Sequence, residues 1–167
     1  WRRITSGYSG IRLLTKFYTA AFDAKIGGEV DGFNADLFVS KKDQRRMDEF
    51  SQFGIGAAKL AMADSGLNMD SENPERIGAI VGSGIGGIQT LEEQFGVLRD
   101  RGPSRCSPFM IPQMITNIAA GLVAIEFGLK GPNFCTTSAC ASATHGMGES
   151  LRAQVEAAWL KGTPPSG

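Results

Sequence analysis

The sequence predicts an α/β fold in which helices cover a small sheet. Two apolar segments, residues 77–81 and 134–138, have the length and the residue types of buried strands. Each is followed by a turn of small residues and then by a helix-compatible segment, residues 88–99 and 141–160. At 167 residues, with 42% hydrophobic and 20% charged residues, the chain has the composition of one globular domain.

Two further helices are predicted from apolar residues at helical spacing. The first opens at Ser40, which forms a capping-box-like pair with Asp43, and stops at Gly66; its apolar residues are Met47, Phe50, Phe53, Ala57, Ala58 and Ala61. The second spans residues 113–127 and stops at Gly128; its apolar face comprises Ile115, Ile118, Ala119, Leu122 and Ile125. We expect a short helix and a loop over residues 1–21, an extended segment over 24–30 and a loop over 102–112.

Composition excludes several classes of function. The net charge is zero, which argues against a general nucleic-acid binder, and no apolar run approaches the length of a membrane span. Cys106, Cys135 and Cys140 fit neither a disulfide framework nor a zinc site, so a reducing compartment is favoured. The single histidine, His145, rules out a multi-histidine metal site within the chain. We therefore expect no metal and no cofactor.

Cys140 is the candidate nucleophile. It follows a predicted strand and precedes a predicted helix, where unpaired N–H groups and the helix dipole stabilise negative charge on sulfur. The small side chains around it, those of Ala139, Ala141, Ser142 and Ala143, leave room for a bulky substrate to reach the sulfur. A buried structural cysteine is the alternative. His145, five positions later, is interpreted as a packed or hydrogen-bonded helix residue.

A glycine-rich loop, Gly82-Ser-Gly-Ile-Gly-Gly87, links a predicted strand to a predicted helix. This order fits the dinucleotide-binding pattern formally, but residues 104–112 lack the acidic residue that would end a second strand. NAD(P) binding is therefore the remote alternative. The simpler interpretation is that these glycines allow a tight turn and the close approach of another segment.

A basic cluster, Lys41-Lys-Asp-Gln-Arg45-Arg46, begins the first strong helix. Four basic residues in six positions most often form a solvated face.

These segments together resemble one enzyme family. Ser138-Ala-Cys140-Ala-Ser, with His145 and Gly148-Glu149 after it, is similar to the active-site segment of β-ketoacyl-[acyl carrier protein] synthases, most of all the bacterial synthase II type. The similarity extends through residues 82–87, 107–112, 117–121 and 127–133. It covers about residues 1–152, well under half of a complete synthase.

The resemblance implies a fold. We expect the N-terminal half of a thiolase-like α/β fold, with layered helices around a mixed sheet that lacks its first strand. Residues 1–152 would be a truncated synthase domain, and residues 153–167 a helix end and a divergent Pro/Gly tail. A sheet without its middle strand would expose edges and apolar helix faces.

The resemblance also implies roles for particular residues. Cys140 would be the nucleophile and, through its backbone N–H, an oxyanion donor, while Ile85 would gate the acyl pocket, with plain core as its alternative. An acyl carrier protein bearing acyl or malonyl groups would dock on basic residues, namely Lys42, Arg45, Arg46 and Arg105. The implied reaction is a decarboxylative Claisen condensation in fatty-acid or polyketide synthesis. The parent protein would be a homodimer in the cytoplasm or in an organelle of bacterial origin.

The same family needs two histidines and a lysine from the second half of its fold. This sequence contains only His145, so we expect the isolated chain to be inactive in condensation. The alternative is a non-catalytic piece that retains a carrier-binding or dimer-forming surface.

Overall fold

A computed structural model of the chain describes residues 2–160, with side chains as far as residue 157. The chain divides into two units, Trp1–Asn34 and Ala35–Gly167. Residues 153–160, predicted as a helix end, are helical, and the Pro/Gly tail predicted after them lies outside the described residues. The domain boundary at residue 152 stays a prediction.

The first unit contains a short helix and a two-stranded antiparallel ribbon. Helix α1 spans Arg2–Thr5, and strands β1 (Ile11–Leu13) and β2 (Ile26–Gly28) pair with Ile11 opposite Gly28. The prediction of a short helix and of an extended segment near residues 24–30 is confirmed. Strand β1 was expected to be loop, because its three residues are too few to show an alternating pattern.

The second unit is built on a parallel pair of strands. Strands β3 (Ala79–Gly82) and β4 (Asn133–Thr136) run side by side, with Ala79 opposite Asn133 and Gly82 opposite Thr136. Both strands therefore end at the same edge, which is where parallel α/β sheets commonly place their functional groups. The sequence predicted both strands to within two residues at each end.

Six helices surround these strands within the described chain. They are α2 (Lys41–Gln44), α3 (Glu49–Ser65), α4 (Ile88–Arg101), α5 (Met110–Met114), α6 (Ile118–Phe127) and α7 (Ser142–Leu160). Short 3-10 turns lie at Ala35–Leu37, Pro74–Arg76, Pro103–Arg105 and Ala139–Ala141.

The helices form layers on the two faces of the strand pair. Ala79 and Val81 point toward a core that includes Ile55 of α3 and Ala120 and Val123 of α6. Ile80 points the other way, and a Cβ on Gly146 of α7 would lie 3.7 Å from its Cγ2 atom. Because side chains alternate along a strand, α3 and α6 cover one face and α7 covers the other.

The helix predicted from Ser40 to Gly66 is two helices, so that prediction was wrong in its continuity. The Ser40 cap is present, with its hydroxyl 2.6 Å from an Asp43 carboxylate oxygen, and Gly66 ends α3 in a left-handed conformation at φ 69°. Between them, Asp48 starts α3 as a second N-cap by accepting a hydrogen bond from the Phe50 N–H. Asp is among the strongest capping residues, so it restarts the helix there.

The helix predicted over residues 113–127 is also two helices, and its first part begins inside the predicted loop. Helix α5 starts at Met110 and accommodates Pro112 in its first turn, where an N–H would have no helical partner. The Met114 carbonyl then accepts a hydrogen bond from the Gly87 N–H, and Ile115 turns to an extended ψ of 139°. This contact with the glycine loop accompanies the break before α6.

The predicted apolar faces were only partly correct. The residues of α3 and α6 that are buried are mostly small, namely Ser51, Ile55, Gly56, Ala119, Ala120 and Val123. Ile125, expected on the buried face, is 79% exposed. Small residues let the two helices pack closely, so burial here follows size rather than hydrophobicity.

Many large apolar side chains of the second unit lie in solvent. They include Ile85, Ile88, Phe95, Ile111, Ile125, Met147 and Leu151. Such exposure agrees with the expectation that apolar helix faces would be uncovered. None of the described helices is both long enough and apolar enough to span a membrane. Residues 2–160 likewise hold no group of acidic, histidine and cysteine side chains suited to a metal ion.

Candidate active site

Cys140 lies on a sharp elbow between β4 and α7. Strand β4 ends at Thr136, a 3-10 turn spans Ala139–Ala141, and α7 begins at Ser142. Within residues 2–160, Ala139 alone among residues other than glycine has a positive φ, at 49°. L-residues adopt this region only at an energetic cost, and such strain clusters at functional sites. The strain brings the next residue, Cys140, to an exposed position.

The Ser142 hydroxyl bridges the two sides of this strained residue. Its Oγ atom accepts a hydrogen bond from the Ser138 N–H at 2.9 Å and donates one to the Ala139 carbonyl at 2.7 Å. The Thr136 hydroxyl in turn donates to the Ser142 carbonyl at 2.8 Å. Ser142 is only 4% exposed, so these hydrogen bonds are shielded from water.

A second hydrogen bond joins the elbow to the first turns of α7. Ser138 Oγ and His145 Nδ1 lie 2.6 Å apart, and the tautomer of the ring decides which atom donates. His145 is thus a hydrogen-bonded helix histidine, as the sequence suggested. Three of the small neighbours of Cys140, namely Ala139, Ala141 and Ala143, are exposed, and the room that they would leave for a substrate stays a prediction.

The backbone N–H of Cys140 makes no hydrogen bond to another described residue. The adjacent N–H groups are occupied, because Ala141 donates to the Ser138 carbonyl and Ser142 donates to the Ala139 carbonyl. One free donor therefore accompanies the exposed sulfur on the same residue. A backbone donor beside a nucleophile is the arrangement that stabilises a developing oxyanion.

The glycine loop packs directly against the elbow. A Cβ on Gly82 would lie 2.5 Å from the Ala143 nitrogen, and one on Gly84 would lie 3.5 Å from the Ala139 carbonyl oxygen. A Cβ on Gly87 would lie 2.3 Å from the Gln113 carbonyl oxygen. The chain's own backbone fills the space that these glycines leave, which weighs against the dinucleotide alternative and agrees with their predicted use in close approach.

Ile85 lies at an exposed position in this loop. Its side chain is 69% exposed, so the alternative in which Ile85 is plain core is wrong for the described chain. The residues that flank this part of the loop are joined by a hydrogen bond, in which the Ser83 hydroxyl accepts from the Gly86 N–H. Gly86 has a positive φ of 82°. Ile85 is therefore an apolar side chain presented to solvent one residue from the contact with the elbow.

The four predicted docking residues lie on two neighbouring segments. Lys42, Arg45 and Arg46 occupy α2 and the turn after it, and Arg105 lies in the 3-10 turn that precedes α5. The guanidinium of Arg46 stacks over the Phe109 ring at 5.1 Å, and the Arg45 carbonyl accepts from the Gln113 side-chain amide at 3.2 Å. All four are exposed, and none forms an ion pair with another described residue.

Lys41 differs from these four residues. Its ammonium pairs with Asp36 at 2.6 Å, so its charge is already compensated within the chain. The basic cluster therefore contains uncompensated charge at Lys42, Arg45 and Arg46 only.

A polar cavity of about 370 Å³ lies beside Arg45. Its walls include Arg45, Glu49, Gln52, Gln89, Glu93 and Gln113. Asp48 also lines the cavity, and one of its carboxylate oxygens accepts hydrogen bonds from both the N–H and the hydroxyl of Thr90. These bonds join the start of α3 to α4 and fix the turn that carries the basic residues.

Sequence reasoning missed the hydrogen bonds that hold the elbow. The roles of Ser138, Ser142 and Thr136 depend on a backbone turn that no residue type announces, since Ala139 rather than glycine takes the positive φ. Ser142 was interpreted as one of several small residues that leave space, whereas it is buried and hydrogen-bonded. A run of hydroxyl residues flanking a cysteine is the one signal that could have suggested it.

Solved structures establish the class of fold. A β-ketoacyl synthase from Burkholderia phymatum superposes with a TM-score of 0.70 over 90% of this chain and 38% of that chain, at 23% identity. A structure described as a type II polyketide synthase acyl carrier protein in complex with its ketosynthase superposes with a TM-score of 0.71 over 75% of this chain and 36% of that chain, also at 23% identity. The chain thus has the thiolase-like α/β fold that the resemblance implied.

Sequence comparisons then identify the family. The family model described as the β-ketoacyl synthase N-terminal domain matches residues 1–157, and this chain belongs to that family. The 3-oxoacyl-[acyl-carrier-protein] synthase 2 of Synechocystis is 44% identical over 152 residues, and that of Vibrio cholerae is 41% identical over the same number. The resemblance drawn from the motifs is therefore confirmed.

The aligned part covers 91% of this chain but only 36% of the Synechocystis relative and 37% of the Vibrio relative. Just over a third of such a protein is therefore represented by the sequence.

Proposed function

We propose that this chain carries the nucleophile of a β-ketoacyl-[acyl carrier protein] synthase, with Cys140 as the residue that is acylated. Family membership and the similarity to synthases of type 2 support the reaction class. The observation that carries the assignment is the exposed Cys140 on a strained strand–helix elbow, with a backbone N–H that bonds to no other described residue. No cofactor or metal is needed for this chemistry.

In the proposed reaction, the Cys140 thiolate attacks the carbonyl carbon of an acyl thioester on a carrier protein. The carrier thiol leaves, and the acyl group remains on Cys140 as a new thioester. Loss of carbon dioxide from a malonyl thioester then generates an enolate, whose carbon attacks the Cys140 thioester. The new carbon–carbon bond forms as the carbon–sulfur bond breaks, so the cysteine is regenerated. The Cys140 N–H would donate to the oxygen that becomes negative in each addition.

The first experiment measures whether the fold activates Cys140. Iodoacetamide alkylation is followed residue by residue by mass spectrometry in the native chain and in the same chain unfolded in urea. Exposure alone cannot raise the native rate above the unfolded rate, whereas activation by the elbow does. We expect native alkylation of Cys140 to exceed its unfolded rate and native alkylation of Cys106 and Cys135 to fall below theirs. A native Cys140 rate at or below the unfolded rate would count against the nucleophile.

We further propose that an acyl carrier protein docks on Lys42, Arg45, Arg46 and Arg105. Their exposure and the lack of ion pairs with other described residues leave their charge available to an acidic partner. Replacing both Arg45 and Arg46 by Glu should weaken binding by at least about tenfold, and binding should weaken as salt rises.

A matched control for the docking experiment is Arg76→Glu. Arg76 is also exposed in a 3-10 turn, but it precedes β3, at the opposite end of the strand from the glycine loop. This change should leave carrier binding within about twofold of the unchanged chain. Arg76→Glu changes the net charge by half as much as the double variant. A loss of binding free energy in Arg76→Glu about half that of the double variant would therefore indicate an effect of net charge alone, and Arg45 and Arg46 would then be an ordinary solvated face.

For Ile85, we propose the role of a gate to the acyl pocket. An exposed apolar side chain on a loop that touches the elbow is suited to contact an acyl chain on Cys140. In the complete parent protein, Ile85→Ala should change the preference among acyl chain lengths, while Ile88→Ala serves as a control of similar exposure on α4. Identical chain-length preferences in the two variants would contradict the gating role of Ile85.

The non-catalytic alternative is favoured by one observation, that the sequence contains a single histidine. We propose accordingly that the 167-residue chain alone is acylated at Cys140 but forms no condensed product. Incubation with acyl and malonyl carrier proteins, followed by mass spectrometry, measures both species. Condensed product that disappears in Cys140→Ala would contradict this proposal. A homodimeric parent and a cytoplasmic location remain expectations from the resemblance.

A further inference from the structure

The elbow holds a feature that the proposed reaction does not itself require. Between β4 and α7, the backbone must reverse through Ala139 at a φ that its side chain disfavours. A strained turn persists only where its surroundings over-determine it. The question is which side chains hold Cys140 in place once the strain has brought it to the surface.

Two sets of hydrogen bonds hold the turn. The first is the Ser142 hydroxyl, which is buried and bridges the Ser138 N–H and the Ala139 carbonyl. It belongs to the fold, because its removal would leave the partly buried Ser138 N–H without its hydrogen-bond acceptor. The second is the 2.6 Å hydrogen bond between Ser138 Oγ and His145 Nδ1, which lies at the exposed side of the elbow.

We propose that Ser138 and His145 form a positioning pair for Cys140. The pair spans the elbow, since Ser138 lies two residues before Cys140 and His145 lies five residues after it. Ser138, with φ −150° and ψ 51°, directly precedes the strained Ala139, so a hydrogen bond that holds its side chain restricts rotation of the turn next to that residue. The ring of His145 ties that side chain to the first turn of α7.

The hydrogen bond of this pair would fix the direction of two groups of Cys140 at once, its sulfur and its backbone N–H. The sulfur and the N–H of Cys140 belong to one residue, so a small rotation of the turn moves the nucleophile and the oxyanion donor together. Attack on a thioester needs both to meet the same carbonyl. Cysteine attack on an acyl group is the proposed function, and the positioning role rests on it.

The position of His145 favours this interpretation over direct proton transfer. Its Nδ1 atom is engaged by Ser138, and among the described residues His145 forms no hydrogen bond to the Cys140 sulfur. The hydrogen bond to Ser138 requires only a polar atom at the δ position of residue 145. An asparagine side chain can place an amide near the same point, which gives a conservative variant.

The test uses the full 167-residue chain and four variants. Ser138→Ala and His145→Ala remove the hydrogen bond, whereas Ser138→Thr and His145→Asn retain a group that can form it. Iodoacetamide alkylation of Cys140, Cys106 and Cys135 is measured in each variant under native conditions and in urea. We expect the two alanine variants to slow native Cys140 alkylation by about three- to tenfold, which corresponds to the loss of one neutral hydrogen bond.

The two conservative variants should restore at least half of the native rate, and Cys106 and Cys135 should be unaffected in all four. Unchanged Cys140 rates in both alanine variants would overturn the proposal. It would also fail if all three cysteines became faster together, because that result indicates loosening of the whole fold. Equal slowing in the alanine and conservative variants would assign the effect to packing instead.

This test separates the positioning pair from the nucleophile itself. If Cys140 of the unchanged native chain is alkylated no faster than in urea, the nucleophile proposal fails. The positioning pair is still supported if the alanine variants then slow the alkylation of Cys140 and the conservative variants restore its rate. If native Cys140 is activated but insensitive to Ser138 and His145, the pair alone is refuted.

Discussion

Gly82→Ala tests whether the glycine loop supports the cysteine elbow. Gly82 is the last residue of β3, paired with Thr136 of β4, and the first turn of α7 lies directly over it. A Cβ at this position would lie 2.5 Å from the Ala143 nitrogen and the Ser142 carbonyl carbon, and 2.6 Å from the Ser142 oxygen. All three atoms are backbone, so no flexible side chain can move aside.

The size of the required shift follows from these distances. Ordinary Cβ contacts begin at 3.4 Å, so the start of α7 must move by about 0.9 Å, or β3 must retreat by the same amount. Overpacking of this kind costs about 1–3 kcal/mol. Because Ser142 also holds Ala139, the same movement displaces Cys140, and misplacement of a reacting group by about 1 Å can cost on the order of a hundredfold in rate.

The assay has two parts. Urea unfolding should show a midpoint lowered by roughly 1 M, for a loss of about 2 kcal/mol and a slope of about 2 kcal/mol per molar. Native alkylation of Cys140 should fall toward its rate in urea. The matched control is Gly96→Ala in α4, where an added Cβ meets nothing within 4 Å and should stabilise the helix by about 0.5–1 kcal/mol. A Gly82→Ala chain as stable and as reactive as the unchanged chain would refute the argument.

Two further perturbations test the two units separately. In the first unit, hydrogen bonds from the Lys16 and Thr15 backbone N–H groups lower the pKa of Glu29 to about 2 from 4.5, so its stabilising effect is complete above pH 4.5 and is lost as the pH falls toward 2. Glu29→Gln should therefore speed amide exchange at Thr15 and Lys16 most at pH 6 and progressively less as the pH falls below 4.5 toward 2; equal acceleration at pH 6 and at pH 2 would contradict the linkage. In the second unit, the Ser51 hydroxyl is buried without a hydrogen-bond partner among the described residues, so Ser51→Ala should raise stability by about 1 kcal/mol. A lower urea midpoint in Ser51→Ala would mean that the hydroxyl has a partner such as water.

The sequence was sufficient for the parts of the fold that local chemistry determines. Strands β3 and β4 were predicted because their apolar residues are short runs bounded by glycine and proline. The ends of α3 and α6 were predicted because Gly66 and Gly128 take left-handed conformations that favour glycine. Cys140 was located between a strand and a helix for the same reason, since each neighbouring element has its own local signal.

Tertiary contacts decided the rest. The break between α5 and α6 accompanies a hydrogen bond from Gly87, which is 27 residues before Met114 in the chain. Asp48 restarts a helix after α2, and its carboxylate is also held by Thr90, 42 residues away. Apolar spacing showed an uninterrupted helical pattern across both breaks, because periodicity records which side chains favour burial and not which backbone groups have distant partners.

The glycine loop connects the candidate nucleophile to the candidate docking surface. On one side, Gly82 and Gly84 pack against the turn that carries Cys140. On the other, Gly86 and Gly87 pack against the Met114 and Gln113 carbonyls, and the Gln113 side chain donates to the Arg45 carbonyl. A substitution at either end of this loop must therefore move backbone that belongs to a different functional surface. For this reason we expect bulk introduced at Gly87, far along the loop from Cys140, to disturb the basic turn first, whereas bulk at Gly82 disturbs the elbow first.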